Sequence, residues 1–178
     1  MLQLILGGAR SGKSRLAEQI AKDSNKTVIY LATAQVWDAE MQDRIVHHQN
    51  QRPSEWQVIE EPRYLADRLK QLDENLGSEN QFILVDCLTL WMSNLLMNDE
   101  QHPEQRMQIS ECRKLLELLP TLKSDIVLVS NETGLGVVPM GEITRKFVDE
   151  SGRLHQQLGQ IADKVVFCVA GFPMTLKG

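Results

Sequence analysis

The sequence predicts an α/β fold built on a mostly parallel sheet, and three observations carry that expectation. Short β-branched runs recur between longer segments of helical period. The strand candidates are apolar almost throughout, as in Phe82-Ile83-Leu84-Val85 and Ile126-Val127-Leu128-Val129, which is the pattern of strands covered by helices on both faces. The segments that depart from both periods, Gly7 to Ser14, Asp86 to Thr89 and Ser130 to Pro139, each follow a strand, and ligands of open parallel sheets bind at those carboxyl ends.

In chain order the candidate strands are Leu2 to Leu6, Thr27 to Leu31, Trp56 to Ile59, Phe82 to Val85, Ile126 to Val129 and Val165 to Val169. Between them Leu65, Leu69, Leu72 and Leu76 share one helical face, as do Ile143, Phe147, Leu154, Leu158 and Ile161, and both read as helices lying on the sheet. Pro103 opens a further helix at the first-turn position that tolerates proline, and Pro120 closes it after Leu115, Leu116, Leu118 and Leu119. No linker, repeat or low-complexity tract interrupts residues 1–178, so one domain is expected.

Composition narrows the partners. The 178 residues are 42% apolar and 24% charged, ordinary for a globular chain with its own core. Nineteen Lys and Arg against 24 Asp and Glu leave a net charge of -5, the wrong sign for a protein that draws its affinity from a phosphate backbone, so no nucleic-acid partner is expected. Cys87, Cys112 and Cys168 are odd in number and far apart, without metal-ligand spacing, and read as reduced, buried thiols. No apolar run approaches the roughly 18 residues of a membrane span, and no basic leader precedes Leu2, so the expected location is the cytoplasm.

Gly7-Gly8-Ala9-Arg10-Ser11-Gly12-Lys13-Ser14 matches GxxxxGK[ST], and it stands where that motif works, after the first strand and at the start of a helix. Its glycines let backbone N–H groups turn toward phosphate oxygens, and the helix N-terminus adds the positive end of its dipole. Lys13 then reaches the β and γ phosphates, Ser14 offers a hydroxyl to Mg²⁺, and Arg10 and Arg15 add charge. The apolar run ending in Asp86 supplies the matching carboxylate for the metal. The fold expected is therefore a P-loop NTPase of the RecA-like, three-layer kind. A regulatory GTPase is disfavoured, because Asn25-Lys26-Thr27-Val28 lacks the Asp of the guanine motif NKxD.

A second constellation lies between the second and third strands. Asp38 caps a helix in which Trp37, Met41, Ile45 and His48 form an apolar stripe, while Glu40, Arg44, His47 and Gln51 form a polar one. His48 suits a packed role and His47 a reactive one; from pattern alone, two ordinary helix histidines remain the competing reading. The cradle, the Thr33-Ala34-Gln35 turn, His47-His48-Gln49-Asn50-Gln51-Arg52-Pro53-Ser54-Glu55-Trp56 with Glu60 beyond it, and Asn131-Glu132-Thr133-Gly134-Leu135-Gly136-Val137-Val138-Pro139 stand in an order that covers nearly the whole chain. In these features the sequence resembles the bifunctional adenosylcobinamide kinase and adenosylcobinamide-phosphate guanylyltransferase family.

The resemblance implies two reactions. The aminopropanol hydroxyl of adenosylcobinamide takes a phosphoryl group from ATP or GTP, and GMP then passes from GTP to that phosphate, through a GMP-histidine at the position of His47. The resemblance also places His48, Gln49, Asn50, Gln51, Glu60, Asp86, Thr33, Ala34 and Gln35 against the nucleotide, and implies a homotrimer. Glu60 suits guanine N–H groups, with Glu61 as its open alternative. Residues 131–139 either shape the corrinoid or nucleotide site or form a tight turn before Gly141. Trp37, Trp56 and Trp91 are either platforms for the flat corrinoid or core, and Leu95, Leu96 and Met97 either interface or core. The competing function is a P-loop small-molecule kinase that performs no guanylyl transfer.

Overall fold

A computed structural model of the chain describes residues 1–35, 53–74 and 78–178. Seven strands form one sheet in the order β3-β2-β4-β5-β1-β6-β7. They are β1 (Leu2–Gly7), β2 (Thr27–Ala32), β3 (Gln57–Glu60), β4 (Gln81–Asp86), β5 (Asp125–Asn131), β6 (Lys164–Val169) and β7 (Phe172–Lys177). The first six run parallel, and β7 turns back antiparallel on β6. The helices are α1 (Lys13–Asp23), α2 (Leu65–Asp73), α3 (Leu88–Gln101), α4 (Met107–Leu118) and α5 (Glu142–Ile161).

Alternation along the strands divides the core between two faces. Leu4, Ile29, Leu31, Ile83, Val85, Ile126 and Leu128 pack against α2, α3, α4 and α5, while Ile5, Val28, Tyr30, Phe82, Leu84, Val127 and Val129 pack with Ala17 and Ala21 of α1. The result is helices on both sides of a sheet, the three layers the apolar strands imply. All six expected strands are present, each within two residues of its expected ends.

Several expectations are changed or extended. The helix expected to open at Pro103 begins at Met107, because Arg106 sits in the left-handed region at φ 45° and breaks the run. Its free N-terminal donors are taken from outside: the Asp99 carboxylate accepts the Met107 N–H at 2.6 Å and the Gln108 N–H at 3.0 Å. Pro120 does lie in the short 3-10 turn that ends this helix. Leu95 and Leu96 are buried core residues of α3, with only Met97 exposed. Trp91 is fully buried and donates its indole N–H to the Arg63 carbonyl at 2.8 Å; Trp56 is buried beside β2, so both belong to the core. Trp37 and Leu76 lie outside the described residues.

Candidate nucleotide site at the carboxyl edge of the sheet

The register brings the segments singled out in the sequence to one edge. Gly7 at the end of β1 pairs with Asn131 of β5, Asp86 of β4 pairs with Val129 of β5, and Ala32 of β2 pairs with both Asp86 and Glu60. The Gly7 to Ser14 cradle, Asp86, the Thr33 turn and the Asn131 to Pro139 connection therefore share one rim.

Two cradle glycines are required by close approach. A Cβ on Gly7 would lie 2.6 Å from the Cys168 carbonyl oxygen of β6 and 2.5 Å from Ser11 Oγ. Gly12 has φ 95°, and a Cβ there would come within 3.1 Å of the Gly171 Cα. Gly171 belongs to the two-residue hairpin between β6 and β7, where Ala170 and Gly171 both have positive φ, the geometry that matches strand twist. Its N–H donates to the Ser11 carbonyl at 2.9 Å, so the hairpin tip braces the cradle. No local pattern of residues announces that brace.

Within the cradle, Lys13 is buried and its ammonium donates to the Gly8 carbonyl at 3.0 Å, while Ser11 Oγ is buried without a hydrogen-bond partner among the described residues. A buried hydroxyl left unpaired is costly unless something completes the site, and phosphate oxygens would supply the missing acceptors. Ser14 lies in the first turn of α1, and Arg10 and Arg15 are exposed.

Asp86 commits Oδ2 to the Tyr30 hydroxyl, which donates at 2.7 Å, so Oδ1 is the oxygen left for a cation. Thr33 is fully buried. Its Oγ1 donates to the Cys87 carbonyl at 2.6 Å and accepts the Cys87 N–H at 2.9 Å, while its own carbonyl accepts from Asn94 Nδ2 at 2.8 Å. Thr33 thus pins the end of β2 to the end of β4, and Ala34 and Gln35 beyond it are half-buried, Gln35 Oε1 being buried with no hydrogen-bond partner among the described residues. The Cys87 thiol is pushed up to about 11 by burial and by the Asp86 charge, which keeps it neutral and unreactive.

The two glutamates at the end of β3 have different fates. Glu61 accepts the N–H groups of Arg63 at 3.1 Å and Tyr64 at 2.9 Å, bracing the turn that leads into α2. Glu60, in register with Ala32, is exposed at the same edge. His47, His48, Gln49, Asn50 and Gln51 lie outside the described residues.

Another group of polar residues at this edge was not assigned from the sequence. Ser130 Oγ lies 2.8 Å from His155 Nε2 and 3.3 Å from Thr89 Oγ1, which itself accepts the Asn131 N–H at 2.7 Å. His155 is buried on α5, beside Leu154 and Leu158. Burial holds its basicity below the ordinary histidine range, against the opposing pull of Glu132. The sequence pattern singles out neither His155 nor its contact with Ser130, 25 residues upstream.

A glycine-rich cradle after the first strand of a parallel sheet, a buried lysine folded over it and an aspartate two strands away define a P-loop NTPase. Solved structures support the fold: the RadB recombinase aligns with 93% of this chain and 73% of its own at 17% identity and a TM-score of 0.53. A structure from Pyrococcus horikoshii OT3 designated PH0250 aligns with 99% of this chain and 86% of its own at 8% identity and a TM-score of 0.60. Residues 3–176 match the model of cobinamide kinase / cobinamide phosphate guanyltransferase, and the chain belongs to that family. It is 52% identical over 178 residues to the bifunctional adenosylcobalamin biosynthesis protein CobP of Pseudomonas aeruginosa PAO1, covering 100% of this chain and 98% of the relative. It is 38% identical over 187 aligned positions to the bifunctional protein CobU of Escherichia coli K12, covering 99% of this chain and 100% of that one.

Proposed function

We propose that this chain performs both reactions of its family within a single domain: phosphorylation of adenosylcobinamide by ATP or GTP, then transfer of GMP from GTP to the new phosphate. The observation that carries the reading is the complete cradle, from Gly7 to Ser14, set in a chain that matches the family over residues 3–176. The kinase-only alternative leaves the histidine segment without a task and is not favoured.

In the kinase step the site's work is positioning and charge neutralisation. The cradle's N–H groups hold the phosphates, and Lys13 moves its ammonium from the Gly8 carbonyl to the β and γ oxygens. Ser14 and Asp86 are the hard oxygen donors that would hold Mg²⁺ together with water and phosphate oxygens. Bound there, the ion would offset charge on the triphosphate. The polar rim from Ala34 to Gln35 and Glu60 is the nucleobase side. Because Glu61 is spent on the turn before α2, Glu60 is assigned to the guanine N–H groups. His47 attacks the α-phosphorus as a neutral imidazole, pyrophosphate leaves, and the acceptor phosphate then takes GMP from the histidine. His48, Gln49, Asn50 and Gln51 complete the nucleotide contacts on this reading.

A homotrimer fits the exposed apolar face of the edge strand β7, formed by Phe172, Met174 and Leu176. The three buried, unpaired cysteines suit a reducing compartment such as the cytoplasm, and no helix among the described residues is long and apolar enough to cross a membrane.

Incubation with α-labelled GTP and Mg²⁺ tests the covalent step. The protein should retain label that is stable to base and lost in acid, and His47→Ala should retain none while still phosphorylating adenosylcobinamide. Lys13→Ala should damage both reactions. Persistent label on His47→Ala would overturn the assignment of the nucleophile.

A further inference from the structure

We propose that Glu132, steered by His155, is the base that receives the proton of the acceptor hydroxyl during phosphoryl transfer. The inference rests on the kinase reading above and adds to it a residue for which the cradle has no substitute.

Placement comes first. Strand β5 lies between β1, which ends in the cradle, and β4, which ends in Asp86, so the residues leaving β5 emerge between the phosphate site and the metal-side carboxylate. Glu132 is tied there directly: its N–H donates to the Gly7 carbonyl at 3.0 Å. The other carboxylates of this edge among the described residues are occupied or distant. Asp86 accepts from Tyr30, Glu61 accepts the Tyr64 N–H in the turn before α2, and Glu60 stands on β3, with β2, β4 and β5 between it and the cradle strand.

The carboxylate is also aimed. Oε1 accepts the Gly134 N–H at 2.6 Å, which fixes the side chain against its own turn. Oε2 lies 3.6 Å from His155 Nδ1. That nitrogen is buried without a hydrogen-bond partner among the described residues, while the opposite ring nitrogen is held by Ser130, itself in contact with Thr89. An imidazole fixed at one nitrogen and left unpaired at the other, 8% exposed, carries a desolvation cost that a purely structural histidine would relieve. Facing a carboxylate just beyond hydrogen-bond range, it is poised to close on Glu132 when the acceptor arrives. The chain after Glu132 adds the apolar flank that a large organic acceptor needs: Leu135, Val137 and Val138 are 79%, 96% and 73% exposed.

The step balances. The acceptor oxygen bonds to the γ-phosphorus as the bond from that phosphorus to the β,γ-bridging oxygen breaks, its electron pair leaving on the nucleoside diphosphate. The hydroxyl proton passes to Glu132 Oε2 and from there to solvent, and His155 acts only by positioning.

Steady-state kinase assays with adenosylcobinamide and GTP test this with three variants. Glu132→Gln keeps an oxygen for the Gly134 N–H and removes the base; its kcat should fall about 100-fold with KM for adenosylcobinamide within about 2-fold of the parent. His155→Asn should lower kcat about 10-fold, again without raising KM, because it only misdirects the base. Glu132→Ala should regain activity on addition of formate, a rescue that a turn-forming role would not permit. A Glu132→Gln protein with kcat within about 3-fold of the parent, or a Glu132→Ala protein that folds and shows no response to formate, overturns the proposal. If the parent protein fails to phosphorylate adenosylcobinamide at all, the kinase reading falls, and this inference with it.

Discussion

The two edges of the sheet use the same kinds of side chain to opposite ends. At the amino edge the carboxylates are saturated: Asp73 accepts from the N–H groups of Lys123 and Ser124 and from the Ser124 hydroxyl, Asp125 pairs with Lys26 at 2.8 Å and the chain's terminal ammonium at 2.9 Å, and Asp163 accepts the Leu2 N–H at 2.7 Å. These groups lock strand starts in register. At the carboxyl edge polar groups are left incomplete. Among the described residues Ser11 Oγ and His155 Nδ1 have no hydrogen-bond partner, Asp86 has one oxygen engaged by Tyr30, and Lys13 rests on the backbone of its own loop. The contrast lies in the carboxylates: those of the amino edge are spent on holding the fold, while Asp86 keeps an oxygen for a ligand. An unpaired buried atom alone does not mark a ligand site, since Gln3 Nε2 and Gln81 Oε1 at the amino edge are likewise unpaired among those residues. Substitutions should therefore divide by edge: changes at the carboxyl edge cost function first, and changes at the amino edge cost stability alone.

The sharpest break of this division is Gly7→Ala. The added Cβ would sit 2.6 Å from the Cys168 carbonyl, a backbone atom of a neighbouring strand that cannot rotate away. The cradle must then move relative to β6. We expect nucleotide affinity to fall about 100-fold, as a displacement near 1 Å at a reacting site does. Stability should drop by roughly 1–3 kcal/mol from overpacking. Titration with nucleotide and urea denaturation would measure the two losses, and an unchanged affinity would show that the cradle tolerates the shift. Tyr30→Phe is gentler and separates the effects. It removes the hydroxyl that holds Asp86 and leaves the buried ring in place. Turnover should fall about 10-fold through misplacement of Asp86, with a stability loss of about 1 kcal/mol. A stability loss without a change in turnover would move Asp86 to the structural group.

How much of this was legible in the sequence follows the same physical division. The cradle and Asp86 were readable because their chemistry is local: a few consecutive residues carry the geometry. Strands β1, β2, β4 and β5 were readable because burial on both faces makes their centres continuously apolar. Strand β7 was not, since Phe172, Met174 and Leu176 are exposed at a sheet edge where even Pro173 is tolerated, so no burial pattern marks them. Helix α3 escaped for the opposite reason. Leu88, Trp91, Met92, Leu95 and Leu96 are buried together with Asn94 and Asn98, which leaves no polar stripe to reveal the helical period. The meeting of Glu132 with His155 depends on a contact between separate elements, and the two neighbouring glutamates look alike until one is seen bracing the turn before α2.

The smallest expected effect is the one that tests the amino edge by itself. Burial pushes the Asp73 carboxyl up, but the Ser124 hydroxyl, the Ser124 and Lys123 N–H groups and the Lys123 charge together outweigh it, and hold it below its ordinary value of 3.8. A carboxyl whose folded value is depressed contributes stability that is fully present above the ordinary value and is lost as pH falls through the folded one. Asp73→Asn should therefore lower stability by roughly 1 kcal/mol near neutral pH, and the gap to the parent should close in acid, because the parent's own carboxyl is then protonated. Urea denaturation at neutral pH and below the ordinary carboxyl range would measure it. Kinase and guanylyl transfer should be unchanged, since α2 ends at the edge opposite the cradle. A loss of activity in Asp73→Asn that exceeds its loss of stability would mean that the two edges are coupled through the sheet, and that saturation alone does not separate structural from functional residues.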